Sequence, residues 1–299
     1  MAEEQLGITR LNPIESTQQQ QFEPNLKTMA GVADLTVGTG YTMQEAMKSV
    51  ASQLPEKKFL IVDAVVDSGN VVSYLFKDNE GAFLAGVIAG KLTKTNKIGF
   101  VGGQESDVID RFEAGFIAGI ASVNPTAAEG LMPGSATSHG RYVKYVGSFS
   151  DQGKAKEAAS ILYNSGVDII FHCAGGAGEG VFKAAQEKSA YAIGVDSDQA
   201  QMKPEYANVI LYSMIKKVDI AVLNGIKSLT EDKFQGGSTI TLGLKEDAVG
   251  ISETLNSAVT EEAINLSNLA KTAIVDGSII VPANLSELLA FKPTALGTQ

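Results

Sequence analysis

The chain has 299 residues, a formal net charge of −10 and a hydrophobic fraction of 44%. An acidic chain offers no basic surface to neutralise phosphates, so we expect no nucleic-acid partner. Its single cysteine, Cys173, excludes an internal disulfide framework and a multi-cysteine metal site. No apolar run approaches the roughly 18–20 residues that cross a bilayer, and the first residues lack the basic start and apolar core of a signal peptide.

Short apolar runs alternate along the chain with amphipathic segments of helical length. Continuous runs of Val, Ile and Phe are typical of parallel strands that are covered on both faces. They predict strands at residues 35–38, 59–63, 71–76, 97–102, 142–149, 168–174, 190–196 and 209–215. Helices are predicted at residues 42–53, 79–92, 108–123, 152–164, 178–188 and 217–232. This alternation indicates an α/β fold of two doubly wound parallel sheets.

The length suits two lobes, since domains commonly have about 100–200 residues. No flexible linker marks their boundary, so we place one crossing of the chain at the polar joint 93–96 and a second near Lys216. The first lobe is then predicted to hold residues 1–95 and 217–235, and the second to hold residues 96–216 and 236–299.

Two predicted strands end on a carboxylate, Asp63 and Asp196. In open α/β sheets the ligand binds beyond the carboxyl ends of the strands. A carboxylate there can accept two hydrogen bonds at once, from a ribose diol or from a base edge. The alternative is that each aspartate caps a following helix.

Two other strand ends carry glycines or an aromatic ring. The strand at 168–174 runs into 175–180 (GGAGEG), where Gly175 and Gly176 would let the backbone approach a ligand, or simply form tight turns. Phe149 can stack on a base or cap the core. Core packing is the better interpretation for most phenylalanines, including Phe171.

Recognised catalytic motifs are absent from the sequence. The two histidines, His139 and His172, are far apart, and His172 falls within a predicted strand. A Ser/His/Asp assembly stays an open alternative that no motif supports. We therefore expect a binding protein and not an enzyme, with no metal and no cofactor.

Six segments, taken in their order and spacing, carry a resemblance over nearly the whole chain. They are 67–74 (DSGNVVSY), 97–103 (KIGFVGG), 145–151 (YVGSFSD), 171–176 (FHCAGG), 194–199 (GVDSDQ) and 213–219 (SMIKKVD). The chain resembles the basic membrane protein family, the PnrA-like purine nucleoside receptors of ABC importers. The resemblance implies a type I periplasmic-binding-protein fold, with two hinged lobes that close over a nucleoside.

The resemblance also implies roles for particular residues. Asp196 becomes the acceptor for the ribose hydroxyls and Lys216 a donor beside it, at the crossing between lobes. Asp63 would face the ligand from the first lobe, and Phe149 would stack on the base from the second. Gly175 and Gly176 would line the cleft. Tyr41 is a weaker candidate for the cleft wall, and Phe171 is the rival to Phe149 for stacking on the base.

The start of the chain departs from the family pattern. Relatives begin with a lipoprotein signal, a first strand and a loop ending in Ser-Phe-Asn, whereas residues 1–7 here resemble the end of the helix after that strand. That strand is central in the fold, so its absence would leave unpaired backbone groups on two neighbours, at about 1–3 kcal/mol for each buried group. The expectation is a truncated form of a lipid-anchored, extracytoplasmic receptor.

The predicted function is capture of a purine nucleoside (inosine, guanosine or adenosine) for an ABC permease in the membrane, by a protein that is a monomer. Three alternatives stay open. They are a cytoplasmic ligand sensor on the same fold, a truncated receptor without function, and a nucleoside-processing enzyme.

Overall fold

The computed structural model describes residues 6–16, 18–294 and 296. The strands are β1 (Leu35–Thr39), β2 (Lys58–Val62), β3 (Val71–Phe76), β4 (Ile98–Gly102), β5 (Val143–Tyr145), β6 (Ile169–Cys173), β7 (Tyr191–Asp196), β8 (Ile210–Lys216), β9 (Thr239–Leu242) and β10 (Val249–Ile251). The helices are α1 (Phe22–Val32), α2 (Gln44–Gln53), α3 (Asp78–Leu92), α4 (Asp107–Ala121), α5 (Pro125–Ala128), α6 (Gln152–Asn164), α7 (Glu179–Lys188), α8 (Gln199–Met202), α9 (Val218–Thr230), α10 (Glu261–Val275) and α11 (Leu285–Ala290).

The chain divides into two compact units. The first takes the chain as far as Phe76 together with Lys217–Leu242, and the second takes Lys77–Lys216 together with the chain from Gly243 onward. The first crossing therefore precedes α3, whereas the sequence places it after that helix, at 93–96. The returning chain also stays in the first unit through β9, beyond the expected limit of residue 235.

Close packing of α3 on α4 explains why α3 belongs to the second unit. A β-carbon added to Gly115 or Gly119 of α4 would overlap the backbone of α3, at Asn79 and at Phe83. A β-carbon on Gly86 of α3 would overlap the backbone of Phe116. The two helices are thus in backbone contact, which only glycines allow.

The first unit is built on a four-stranded sheet in the order β1-β2-β3-β9, with every pair parallel. Strand β2 is almost entirely buried, as its continuous apolar run predicts. Leu35–Thr39 pairs directly with Lys58–Val62. The expectation of two neighbouring strands left with unpaired backbone groups is therefore wrong for the described residues, because β1 and β2 bond to each other.

The second unit is built on a six-stranded sheet in the order β10-β8-β7-β6-β4-β5. Strand β10 is antiparallel to β8, and the other pairs are parallel. Successive side chains of a strand point to opposite faces. Phe171 of β6 packs against Phe116 of α4, and the next residue, His172, packs against Phe182 of α7. Helices therefore cover both faces, as in a doubly wound fold.

Several elements differ from those predicted. The strand expected at 142–149 is only three residues long, because the chain turns at Gly147, where φ is 74°. Beyond residue 232, where no element is predicted from the sequence, the structure has β9, β10, α10 and α11. Among the described residues, no helix combines the length and the apolar character that a membrane crossing requires.

Candidate functional site

The carboxyl ends of the parallel strands in the second unit meet at one edge of the six-stranded sheet. Gly103 follows β4 and Gly175 follows β6 after a single residue, while β7 and β8 end on Asp196 and Lys216. Asp196 pairs with Ile215 in the register of β7 and β8. Asp196 and Lys216 are therefore at neighbouring strand ends.

Phe149 lies over two of these glycines. A β-carbon on Gly103 would overlap its ring, and one on Gly175 would lie 3.4 Å from the Phe149 Cβ. The carbonyl oxygen of Phe149 accepts a hydrogen bond of 2.9 Å from Ala177 N. The same carbonyl oxygen would lie 3.5 Å from a β-carbon added to Gly176. The structure thus brings Phe149, Gly175 and Gly176 together, with Phe149 half-buried and both glycines exposed.

Phe171 takes a different place. Its ring is fully buried and lies 4.9 Å from the Phe116 ring and 5.9 Å from the Phe100 ring, between centroids. This environment agrees with the core-packing interpretation and not with a ring that faces a ligand.

Asp196 is exposed and has a left-handed backbone, with φ of 67°. Among residues other than glycine, aspartate and asparagine adopt this conformation most readily. The helix cap considered as its alternative role is taken by Asp198, which accepts from Gln201 N at the start of α8.

A buried network holds the loop that carries Asp196. The side-chain oxygen of Gln199 accepts from Val195 N at 3.0 Å and lies 2.9 Å from His172 Nε2. The backbone amide of Gln199 donates to Ser213 Oγ at 3.1 Å. Burial lowers the pKa of His172 to about 4, against the opposing hydrogen bond with Gln199, so the ring is neutral at pH 7 and Nε2 can donate. The loop is therefore fastened to β6 and β8.

The side chain of Lys216 is paired with a carboxylate, Asp78, that was not among the residues predicted from the sequence. Its Nζ lies 3.1 Å from Oδ1 of Asp78. The other oxygen of Asp78 lies 3.2 Å from Nε of Arg111. Asp78 is fully buried and Lys216 nearly so. Asp78 follows the apolar run of β3 after a single residue, Lys77, and this position is the signal that could have marked it as a carboxylate near a strand end.

Cys173 is buried close to this charged group. Burial is the main cause that raises the pKa of its thiol, and the carboxylates of Asp196 and Asp78 raise it further, while Lys216 acts in the opposite sense. The thiol therefore stays protonated at pH 7, which suits a small buried hydrophobe and not a nucleophile.

A second buried carboxylate, Glu113, lies on α4. It accepts a hydrogen bond of 2.8 Å from the Tyr145 hydroxyl and lies 3.0 Å from Nδ1 of His139. The bond to Glu113 is the main cause that raises the pKa of His139, with burial acting in the opposite sense. Burial, followed by Glu113, raises the pKa of Tyr145.

The first unit presents its own candidates at the carboxyl edge of its sheet. Asp63 follows β2, also with a left-handed backbone, with φ of 68°. The amide of Gly40 donates to the carbonyl oxygen of Val62 at 3.1 Å, which places Tyr41 near the same strand end. The chain after Asp63 leads into β3 without a helix, so Asp63 is not a helix cap.

Across the described part of the chain, no group of three or more His, Cys, Asp or Glu side chains is arranged to hold a metal ion.

The sequence pattern of the family described as ABC transporter substrate-binding protein, PnrA-like, matches residues 3–284. The chain belongs to this PnrA-like family. Membership confirms the resemblance drawn from the six segments and places the chain among solute-binding proteins.

Curated relatives agree with membership of the PnrA-like family. The chain is 41% identical over 292 residues to the CD4+ T-cell-stimulating antigen of Listeria monocytogenes, an overlap of 92% of this chain and 78% of the relative. It is 40% identical over 266 residues to the ABC transporter nucleoside-binding protein BmpA of Lactococcus lactis, an overlap of 83% and 71%. Basic membrane protein A of Borreliella burgdorferi is 36% identical over 227 residues, an overlap of 73% and 62%.

Solved structures confirm the fold expected of a PnrA-like protein. The chain is similar to an ABC transporter solute-binding protein of Aeropyrum pernix, with a TM-score of 0.77, 27% identity and coverage of 97% of this chain and 90% of that one. A transcriptional activator of the comK gene from Bacillus halodurans gives a TM-score of 0.71 at 20% identity, covering 88% and 86%. At that identity the likeness concerns the fold alone.

Proposed function

We propose that this chain is the substrate-binding subunit of a nucleoside importer and that it captures purine nucleosides without chemical change. One observation carries the proposal. An exposed carboxylate, Asp196, and a cationic donor, Lys216, lie at neighbouring strand ends in a family with a nucleoside-binding member. A ribose offers adjacent hydroxyls that can donate to the first and accept from the second.

The other residues of this edge have complementary roles in the proposal. The half-buried ring of Phe149 offers a face on which a purine base can stack. Gly175 and Gly176 leave the backbone open to close approach. Phe171 is left out, because its ring is enclosed in the core.

Asp63 and Tyr41 of the first unit stay candidates for ligand contact, since they lie at the carboxyl edge of their own sheet. Closure of two lobes over the ligand, which the resemblance implies, stays a prediction. So do delivery to an ABC permease, a monomeric state and a lipid-anchored position outside the cell membrane.

The deciding experiment is isothermal calorimetry of the folded protein against inosine, guanosine, adenosine, cytidine and ribose. We expect a purine nucleoside to bind tightly, and Asp196→Ala to weaken it by about a hundredfold or more, since a hydrogen bond to a charged group contributes about 1.5–3 kcal/mol and Asp196 can make two. Asp232→Ala is the matched control, because Asp232 is exposed and left-handed too, with φ of 55°, but follows α9. No heat from any of these compounds would contradict the proposal.

A second readout separates a receptor from an enzyme. Inosine incubated with the protein is expected to be recovered unchanged, whereas hypoxanthine in the products would favour the nucleoside-processing alternative.

A further inference from the structure

One buried carboxylate holds two cations in the second unit. Asp78, the first residue of α3, is fully buried and lies 3.1 Å from Lys216 Nζ through one oxygen and 3.2 Å from Arg111 Nε through the other. The cluster of these three side chains therefore carries one formal positive charge in excess. A buried charge is tolerated only where it is paired and hydrogen-bonded, so the cations are held where the carboxylate is.

The position of Asp78 is set by the backbone of α3. The hydroxyl of Tyr212, in β8, donates to the carbonyl oxygen of Ala85 in α3 at 2.7 Å. On the opposite side, Gly115 of α4 lies against the backbone of Asn79. Helix α3 is thus fastened both to the strand that ends on Lys216 and to the helix that carries Arg111.

Arg111 keeps a donor beyond the one that is bonded to Asp78. Nη2 of Arg111 is buried and has no hydrogen-bond partner among the residues that the structure describes. Lys216 Nζ also lies 5.8 Å from the centre of the Phe112 ring, a distance at which a cation is attracted to the face of an aromatic ring. A buried guanidinium N–H without an acceptor is costly, so an acceptor oxygen brought by a ligand would be favourable there.

Building on the proposed nucleoside-binding function, we propose that Asp78 is a positioning residue for Lys216 and that Arg111 is a further donor to the ligand. The carboxylate fixes the lysine ammonium at the strand end beside Asp196. Arg111 adds a second donor, and the two cations together select a ligand group rich in acceptor oxygens, such as the pentose of a nucleoside.

The test is calorimetry of inosine binding to the wild type, Asp78→Asn and Arg111→Met. Asn keeps the shape of Asp78 but not the charge that fixes Lys216, so we expect the Kd to rise by about tenfold or more. Met keeps the apolar stem of Arg111 and removes its donors, so a rise of about fivefold or more is expected. Asp168→Asn is the matched control, since that carboxylate also accepts several hydrogen bonds but precedes β6 at the other edge of the sheet.

A double-mutant cycle separates positioning from a general loss of stability. If Asp78 acts through Lys216, Asp78→Asn should change the Kd little when Lys216 is already Met, because the group that it positions is gone. If Asp78→Asn acts independently of Lys216, the Kd of the double variant should instead rise by the product of the two single-variant factors. Unfolding in urea is measured on every variant, so that only folded protein enters the comparison.

The outcomes are distinct. A wild type that binds no nucleoside overturns the proposed function, and this inference with it. A wild type that binds, with an unchanged or lower Kd in folded Asp78→Asn, overturns the positioning role alone. If Asp78→Asn does not fold, Arg111→Met decides, and an unchanged Kd in that variant overturns the proposed cationic site.

Discussion

At the scale of single residues, Asn70 connects three segments of the first unit. Its side-chain amide lies 3.0–3.1 Å from the carbonyl oxygens of Ala51, Leu54 and Lys57, and its oxygen accepts from Ser68. Two of these carbonyls lie at the end of α2, where helical carbonyls lack partners within the helix. The family segment 67–74 thus has a structural role in holding the loop before β3.

Asn70→Ala is expected to lower the free energy of unfolding by about 1–3 kcal/mol, because it removes the donor to the buried carbonyl oxygen of Ala51 and to the part-buried carbonyl oxygen of Lys57. Urea unfolding followed by circular dichroism measures the change. Gln53→Ala is the control, since Gln53 is exposed and bonds only within its own helix. Equal losses in the two variants would contradict the assignment.

Gln199 is expected to matter for binding through the loop that it fastens. Gln199→Leu removes the acceptor shared by Val195 N and His172 Nε2, so Asp196 loses its fixed position and the Kd for inosine rises by about tenfold. Gln201→Leu, in the same short helix but exposed, is the control. Calorimetry that gives one Kd for both variants would argue against this role.

His139 is expected to make stability depend on pH. Its pKa is raised in the folded state, mainly by Glu113, with Glu105 and Asp110 also facing the ring. A raised pKa contributes stability that is complete below the unfolded value of about 6.5 and is lost as the pH rises through the folded value. The wild type should therefore lose a few degrees of Tm relative to His139→Gln as the pH rises above about 6.5.

Thermal melts across this range measure the difference. The other histidine, His172, has a pKa of about 4 and stays neutral throughout, so it adds no slope in this window. Parallel profiles for the wild type and His139→Gln would contradict the prediction.

At the scale of elements, the contact between α3 and α4 depends on glycine. Gly119→Ala places a methyl group against the backbone of Phe83, which cannot move without displacing α3. We expect the free energy of unfolding to fall by about 1–3 kcal/mol or more, as measured in urea.

Gly31→Ala, in α1, is the matched control, because nothing lies within 4 Å of its added β-carbon. That change should raise stability by up to about 1 kcal/mol, through the better helix propensity of alanine. A neutral Gly119→Ala would show that the helices can separate without cost.

The sequence predicts the central elements and misses the peripheral ones for a physical reason. Strands such as β2 and β6 are buried on both faces, so each is a continuous apolar run. Strand β9 is half-exposed, and β10 has only three residues. The buried face of α10 consists mostly of small residues, Ala263, Ser267 and Ala270, with Ile274, and so gives only a weak apolar stripe.

The site divides in the same way. Asp196 and Lys216 end apolar runs and belong to recognisable segments, so they could be named from the sequence. Asp78 and Arg111 lie beside Lys216 only because α3 packs on α4 and β8. That packing cannot be predicted from the order of the residues. Phe149 ends a predicted strand whereas Phe171 lies inside one, and in the structure Phe149 is half-buried and Phe171 fully buried.

At the scale of the whole molecule, the proposed ligand should stabilise the fold by mass action. A ligand that binds only the folded state at a hundred times its Kd adds about 2.7 kcal/mol to the free energy of unfolding. We expect inosine to raise the Tm of the wild type by this mechanism, and the same concentration to raise the Tm of Asp196→Ala much less, because a Kd weakened a hundredfold leaves only about 0.4 kcal/mol. Equal shifts in both proteins would show that inosine acts elsewhere.

The glycine contacts of α3 and α4 have a thermodynamic consequence. Side chains that become ordered only when a ligand arrives cost about 0.5–1.5 kcal/mol each in conformational entropy. Asp78 and Arg111 sit on helices whose backbones already touch, so their entropy is lost when the chain folds. This part of the proposed site is therefore preorganised. A substitution that loosens the contact between the two helices should reduce the affinity through a less favourable entropy of binding, even though it removes no charged side chain.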